Sequence, residues 1–209
     1  MSDHTPTMID GNDQDQESTA EIMPGVIPAI SYLLKRVSEM NHDLSRPFRR
    51  HQRISGFHGL TRPSISIRSY MERIFKYANC SHSCYIVAYI YLDRFMQKQP
   101  FLPIDSFNVH RLIITSVLVS SKFMDDMCYS NAYYARVGGI STEEMNILEL
   151  DFLFGIAFHL NVAPSTFHHY SCFLHALEPS PPARSSPHKK FHINLREDES
   201  TLQKQLAAV

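Results

Sequence analysis

The densest hydrophobic pattern lies between Asn108 and Asp126, NVHRLIITSVLVSSKFMDD. Apolar side chains (Val109, Leu112, Ile113, Ile114, Val117, Leu118, Val119, Phe123) run most of the way round a helical projection of this stretch. Thr115, Ser116, Ser120 and Ser121 fill the gaps. No Gly or Pro interrupts it, and it has the length of about four to five helical turns. That length favours helix over a buried strand, although Ile113-Ile114 would suit either. A helix apolar on nearly every side is wrapped by others. Its hydroxyls are small enough for close packing and can bond back to carbonyls one turn earlier. The stretch ends in Lys122, Asp125 and Asp126, so its C-terminal end is expected to be polar and exposed.

Weaker helical patterns surround this one. From Pro24, Val26, Ile27, Ile30, Leu33, Leu34 and Val37 recur at spacings of three and four, predicting an amphipathic helix to about Asn41. A connector rich in Arg, Pro and Gly follows. Ser64 to Ala78 is predicted helical, with Ser64 and Ser66 as capping candidates and a buried stripe of Ile67, Tyr70, Met71, Ile74 and Phe75. Arg68 falls within or beside that stripe. His82 to about Gln97 is almost wholly apolar until Asp93 and Arg94, and Pro100 and Pro103 end it. Asn131 to Val137 is a short helix closed by Gly138-Gly139, a left-handed C-cap signal. Ser141 and Glu144 match a capping box. The helix they open carries Met145, Leu148, Phe152 and Leu153 on one side, with Ile147, Leu150 and Phe154 broadening the stripe and Glu149 and Asp151 outside. Pro164 to Leu177 is the last. No alternating strand pattern appears, so the fold class is all-α: a five-helix core with one flanking helix at each end.

Composition narrows the class. A chain of 209 residues with 44% hydrophobic residues and a net charge of −1 reads as globular, without the bulk basicity of a nucleic-acid binder. The longest apolar runs are broken by Ser, Lys or Asp before about 18 residues, so no membrane span is expected. The N-terminus lacks a basic region followed by an apolar one, so no secretory signal is expected. Cys80, Cys84, Cys128 and Cys172 lie in apolar helical patterns and read as buried thiols in a reducing compartment, not as a disulfide framework.

Candidate chemistry is sparse. There is no phosphate-cradling Gly loop, nucleophile elbow or metalloprotease motif. Cys80-x-His82-x-Cys84 and His168-His169 raise a zinc reading, but ligands at i, i+2 and i+4 do not match structural zinc spacings. No catalytic residue, cofactor or metal is expected, and the chain is read as a non-enzyme. Lys122 and Glu149 are more informative, each closing or interrupting an otherwise apolar helix. Charges of both signs at an apolar surface mark a docking edge.

SIRSYMERIFKY, YIYLDRF, SVLVSSKFMDD and ILELDFLFGIAFHL, in this order and spacing, resemble the five-helix cyclin box. Arg68, Asp93, Lys122 and Glu149 fall on its four marker charges. The chain is most similar to the P-type (U-type) cyclins of plants, which resemble fungal cyclins of phosphate signalling. The resemblance covers about residues 24 to 177. It departs from cell-cycle cyclins at Arg111, where they carry Leu, and Ile67-Arg68-Ser69-Tyr70-Met71 does not reproduce the apolar substrate-recruiting patch of A-type cyclins. The resemblance implies a single box at 64–158; before it, composition predicts a disordered acidic tail (1–21) and the residue pattern an N-terminal helix with its basic connector (22–63). A C-terminal flanking helix (159–177) and a disordered Pro/Ser-rich tail (178–209) would follow.

The resemblance also implies roles. Arg68 and Asp93 would form a buried ion pair between the first two box helices. Lys122 and Glu149 would bind a cyclin-dependent kinase beside its C-helix, with Phe123, Leu153, Phe158 and Leu160 supplying apolar area. The chain would be a regulatory, activating subunit in cell-cycle or phosphate signalling, intracellular, in nucleus and cytoplasm. The alternative is a cyclin-fold module that binds nucleic acid or a transcription complex. That alternative needs a contiguous basic face, and the basic cluster present (Arg46, Arg49, Arg50, Arg53) lies in the connector. Ser186-Pro187 and Ser180-Pro181 are candidate phosphosites for a Pro-directed kinase.

Overall fold

The structure, a computed structural model, describes residues 25–45 and 55–177. The acidic N-terminal segment, the four connector arginines and the C-terminal segment with Ser180 and Ser186 lie outside the described residues. Within them the chain forms seven helices and no strand: α1 (Val26–Ser45), α2 (Ile67–Ala78), α3 (His82–Lys98), α4 (Val109–Met124), α5 (Asn131–Gly138), α6 (Thr142–Gly155) and α7 (Pro164–Ala176). The protein is all-α, as its sequence pattern predicts.

The fold is built on α4, which is buried from Leu112 through Ser121 and packs against α2, α3, α5 and α6. Its buried hydroxyls find partners inside their own helix: Thr115 donates to the Arg111 carbonyl (2.7 Å), Ser116 to Ile113 (2.8 Å) and Ser120 to Val117 (2.9 Å). A polar residue on a wrapped helix is thereby satisfied without interrupting the packing. α1 and α7 flank this core, touching each other as well as α3.

Local signals place the ends. Ser66, extended at φ −67° and ψ 154°, accepts from the Ser69 amide, so α2 starts at Ile67 and not at Ser64. Ser141 accepts from the Glu144 amide at 3.0 Å, one half of the expected capping box. Gly139, at φ 75°, closes α5, and Ile140 N–H returns to the Ala135 carbonyl. The chain enters α4 through a buried polar knot. Asp105 Oδ1 accepts from the Phe107 and Asn108 amides, while Asn108 accepts from the Asp105 amide and donates to the Pro103 carbonyl.

One core residue comes from outside the helices. Phe57, in the connector, is 2% exposed and packs edge-on against Phe95 (5.4 Å) and Phe152 (6.3 Å). Those two rings stack at 5.2 Å with 5° between their planes. This aromatic cluster joins α3 to α6.

A candidate docking face on the fourth and sixth helices

Lys122 sits in the last turn of α4 and Glu149 in the middle of α6. Because α4 and α6 pack together, Lys122 Nζ meets Glu149 Oε1 at 2.6 Å. The other carboxylate oxygen accepts from the Asn131 side chain at 2.7 Å, and Asn131 also donates to Asn146 Oδ1. Asn131 is the first residue of α5, so three helices orient one carboxylate. The Lys122 side chain is 37% exposed and the Glu149 side chain 15%. The carboxylate is thus largely covered and fixed, while the ammonium keeps an open side.

Apolar side chains surround the pair. Phe123 and Met124 follow Lys122 and are about half exposed; Met127, just beyond α4, is 87% exposed. On α6, Met145, Leu148 and Phe152 turn inward. Ile147, Leu150 and Phe154, expected to broaden the buried stripe, are exposed instead. The helix is apolar on several sides and only one side can face α4. Leu153, one turn beyond Glu149, is half-buried against the core, as is Leu160. Exposed apolar area on this scale, beside an oriented charge pair, makes this face a candidate interaction surface.

The turn after α6 extends the face. Ala157 (φ 53°) and Phe158 (φ 55°) both adopt left-handed backbone, a costly conformation for residues with a Cβ. The turn is held by Phe158 N–H to the Leu153 carbonyl at 2.8 Å, and the Phe158 ring stands edge-on to Phe154 at 5.1 Å. The strand-like strap that follows is anchored from α3. Buried Arg94 donates through one nitrogen to the carbonyls of His159 (2.8 Å) and Asn161 (3.0 Å), and the Tyr91 hydroxyl donates to the Leu160 carbonyl (2.8 Å). The six side chains expected at a kinase contact thus occupy α4, α6 and one braced turn. Asn131, Tyr91 and Arg94 position them. Sequence reading passed over all three, and only the buried charge in an apolar helix, at Arg94, offered a signal.

Two expected roles change. Arg68 is not buried against Asp93. Its side chain is 60% exposed and pairs with Glu72 one turn along α2, Nε to Oε1 at 2.8 Å. Asp93 accepts instead from the Tyr170 hydroxyl of α7 and the Gln97 amide. Arg68 lies on the flank of α2, beside Ser69, and the buried stripe runs through Tyr70, Met71 and Ile74. The buried cation of the Asp93-Arg94 step is Arg94.

Asp125 is the second. Expected at an exposed docking edge and on the unfavourable end of the α4 dipole, it reaches the favourable end of another helix. Its Oδ2 accepts from the Ser81 amide (3.1 Å) at the start of α3, the Cys84 thiol (3.1 Å) and the Ser121 hydroxyl (3.4 Å). Partial burial opposes its ionisation, but the Cys84, Ser81 and Ser121 donors prevail and hold the carboxyl below its ordinary value. A depressed carboxyl pKa stabilises the fold above the unfolded pKa, near 4, and that stabilisation disappears as the pH falls through the folded value. Asp125→Ala is expected to cost about 1 kcal/mol at pH 7, as for a lost N-cap. In urea unfolding the gap from wild type should be constant above about pH 5 and shrink below about pH 4; a gap independent of pH would refute the assignment.

Arg111, the departure noted in the sequence, pairs with Glu144 of α6 through Nη2 and Nε, the latter at 2.6 Å. That bond draws Glu144 away from its half of the capping box. Of the four cysteines expected to be buried, Cys84 is buried and spent on Asp125 and Cys80 is half-buried, but Cys128, beyond the end of α4, and Cys172, on the outer side of α7, are exposed. Among the described residues no group of three or more His, Cys, Asp or Glu is placed to hold a metal. No described helix is long and apolar enough to cross a membrane.

Comparison with known proteins agrees with this architecture. The family model described as Cyclin matches residues 12–160. Cyclin-U4-2 of Arabidopsis thaliana is 78% identical over 156 residues, spanning 75% of this chain and 72% of that protein. Cyclin-U4-1 of the same plant is 56% identical over 188 residues, spanning 88% and 93%. Cyclin-P4-1 of Oryza sativa subsp. japonica is 58% identical over 158 residues, spanning 74% of each.

Proposed function

The chain belongs to the cyclin family, and on that premise we propose that it is the activating subunit of a cyclin-dependent protein kinase. The observation that supports this reading is the Lys122–Glu149 pair, held by Asn131 and bordered by Phe123, Leu153, Phe158 and Leu160. Such a face offers a donor and an acceptor to backbone groups of a partner helix, with apolar area on either side. Arg94 and the packed α4–α6 contact keep it stiff.

Kinase physics supplies the mechanism. A protein kinase is active only when its strand Lys pairs with a C-helix Glu and its activation loop opens. A rigid face that binds the inward C-helix, and not the outward one, shifts the population toward the active state. Moving a 1:99 equilibrium to 99:1 takes about 5.5 kcal/mol of differential affinity. A desolvated apolar contact containing oriented charges is of the right kind to supply it. The cyclin contributes no reacting group of its own. Cell division or phosphate and nutrient response is the setting, in the nucleus and cytoplasm.

Co-purification of the intact chain with its kinase, followed by an activity assay, tests the reading. Because removing both partners leaves no unpaired charge behind, Lys122→Ala with Glu149→Ala should remain folded. It should lose at least tenfold in kinase affinity and activation. A folded double variant that binds and activates like wild type removes this face from the proposal.

A further inference from the structure

We propose that the cavity enclosed by α1, residues 62–66 and the starts of α2 and α4 is a binding site for a small soluble polyanion carrying phosphate groups. The cavity has a volume of about 780 Å³. That lies in the range of small-molecule sites and far above the roughly 30 Å³ of one water. It shares no residue with the α4–α6 face, so the two proposals stand or fall separately.

Its lining is unbalanced in charge. Lys35 of α1, Arg62 of the connector and Arg68 of α2 contribute three cations from three segments, against one carboxylate, Glu39. Lys35 and Arg68 each pair with a carboxylate one turn along their own exposed helix, Lys35 with Glu39 at 3.9 Å and Arg68 with Glu72 at 2.8 Å. Pairs of that kind are worth a few tenths of a kcal/mol and re-partner readily. Arg62 has no ion-pair partner among the described residues. Ser31, Ser38 and Ser66 on the lining donate within the protein, to Ile27, Lys35 and Ser69, while the start of α2 faces the same space, a helix end that attracts anions.

His110 lines the floor of the cavity, its Nε2 donating to the Ile65 carbonyl at 3.0 Å, which ties α4 to the segment that enters α2. Cations outnumber carboxylates in the lining by three to one. A ligand rich in acceptors fits, and one large enough to span three cations carries more than one phosphate group.

The experiment is calorimetric titration of the intact chain in phosphate-free buffer, with inorganic tripolyphosphate as probe. Saturable one-to-one binding and a rise in Tm are expected. Arg62→Glu with Arg68→Glu should weaken binding at least tenfold. Arg136→Glu, on α5 away from the lining, should leave it within about twofold. No saturable binding up to millimolar tripolyphosphate, or an equal loss in Arg136→Glu, overturns the site. So does binding of a phosphoserine peptide by a chain that ignores tripolyphosphate, which would make the cavity a peptide-docking groove.

Discussion

Gly155→Val is expected to lower the stability of the fold by about 3 kcal/mol, among the largest effects available to a single added side chain here. A Cβ at this position would stand 2.3 Å from Phe95 Cε2 and 2.8 Å from Cδ2. Neither ring atom is the free end of a flexible chain. Phe95 is 1% exposed, stacked on Phe152 and held edge-on by Phe57, so no side of the ring has room to retreat. The glycine lets the last turn of α6 lie directly on the ring. Thermal unfolding measures the cost: about 2–4 °C per kcal/mol for a protein of this size gives a drop of about 6–12 °C. Phe95→Leu in the same chain should recover part of it, because a smaller side chain makes room, and the double-mutant cycle should then show a coupling of at least about 1 kcal/mol. An unchanged Tm in Gly155→Val would mean that α6 does not pack on Phe95 as described.

Gly155 also shows how far sequence reading reaches. Its place near the end of α6 follows from the pattern, but the ring it accommodates lies sixty residues earlier and has no local signal. What was legible was local: the wrapped central helix, Ser141 and Ser66 as caps, Gly139 as a left-handed stop. Each depends on residues within one or two turns. The side of α6 that faces the core was not legible, because Ile147, Leu150 and Phe154 are as hydrophobic as Met145, Leu148 and Phe152; packing on α4 alone separates them. The partner of Asp93 was not legible either, since an acidic residue carries no mark of which helix it will meet. Arg68 was the arginine expected to be buried, and only the fold shows that Arg94, at 7% exposure, is the buried one. For the docking face, Lys122 and Glu149 emerged from the family resemblance together with their apolar setting. Asn131, which completes the carboxylate's coordination, looks in sequence like an ordinary first residue of a helix.

Arg94→Leu carries the other large effect, and it separates the fold from the face. Arg94 donates to two carbonyls of the strap after α6, and hydrogen bonds from a charged donor are worth about 1.5–3 kcal/mol each. Leucine fills part of the volume but leaves the His159 and Asn161 carbonyls without that guanidinium, so a loss of about 3–5 kcal/mol is expected. Against a typical total of about 5–15 kcal/mol, many of the molecules should remain folded at 25 °C. The damage should be uneven. Hydrogen exchange should stay slow in α4, whose amides are buried on all sides, and accelerate in residues 157–162, where Tyr91 alone would still hold the Leu160 carbonyl. Phe158 and Leu160 would then be presented by a loosened segment. Ordering that segment again on binding should weaken kinase affinity at least tenfold, though Lys122 and Glu149 are untouched. Uniform acceleration of exchange through α3 and α4 would show that Arg94 supports the whole bundle; full kinase affinity with a loosened strap would show that Phe158 and Leu160 do not contribute to the contact.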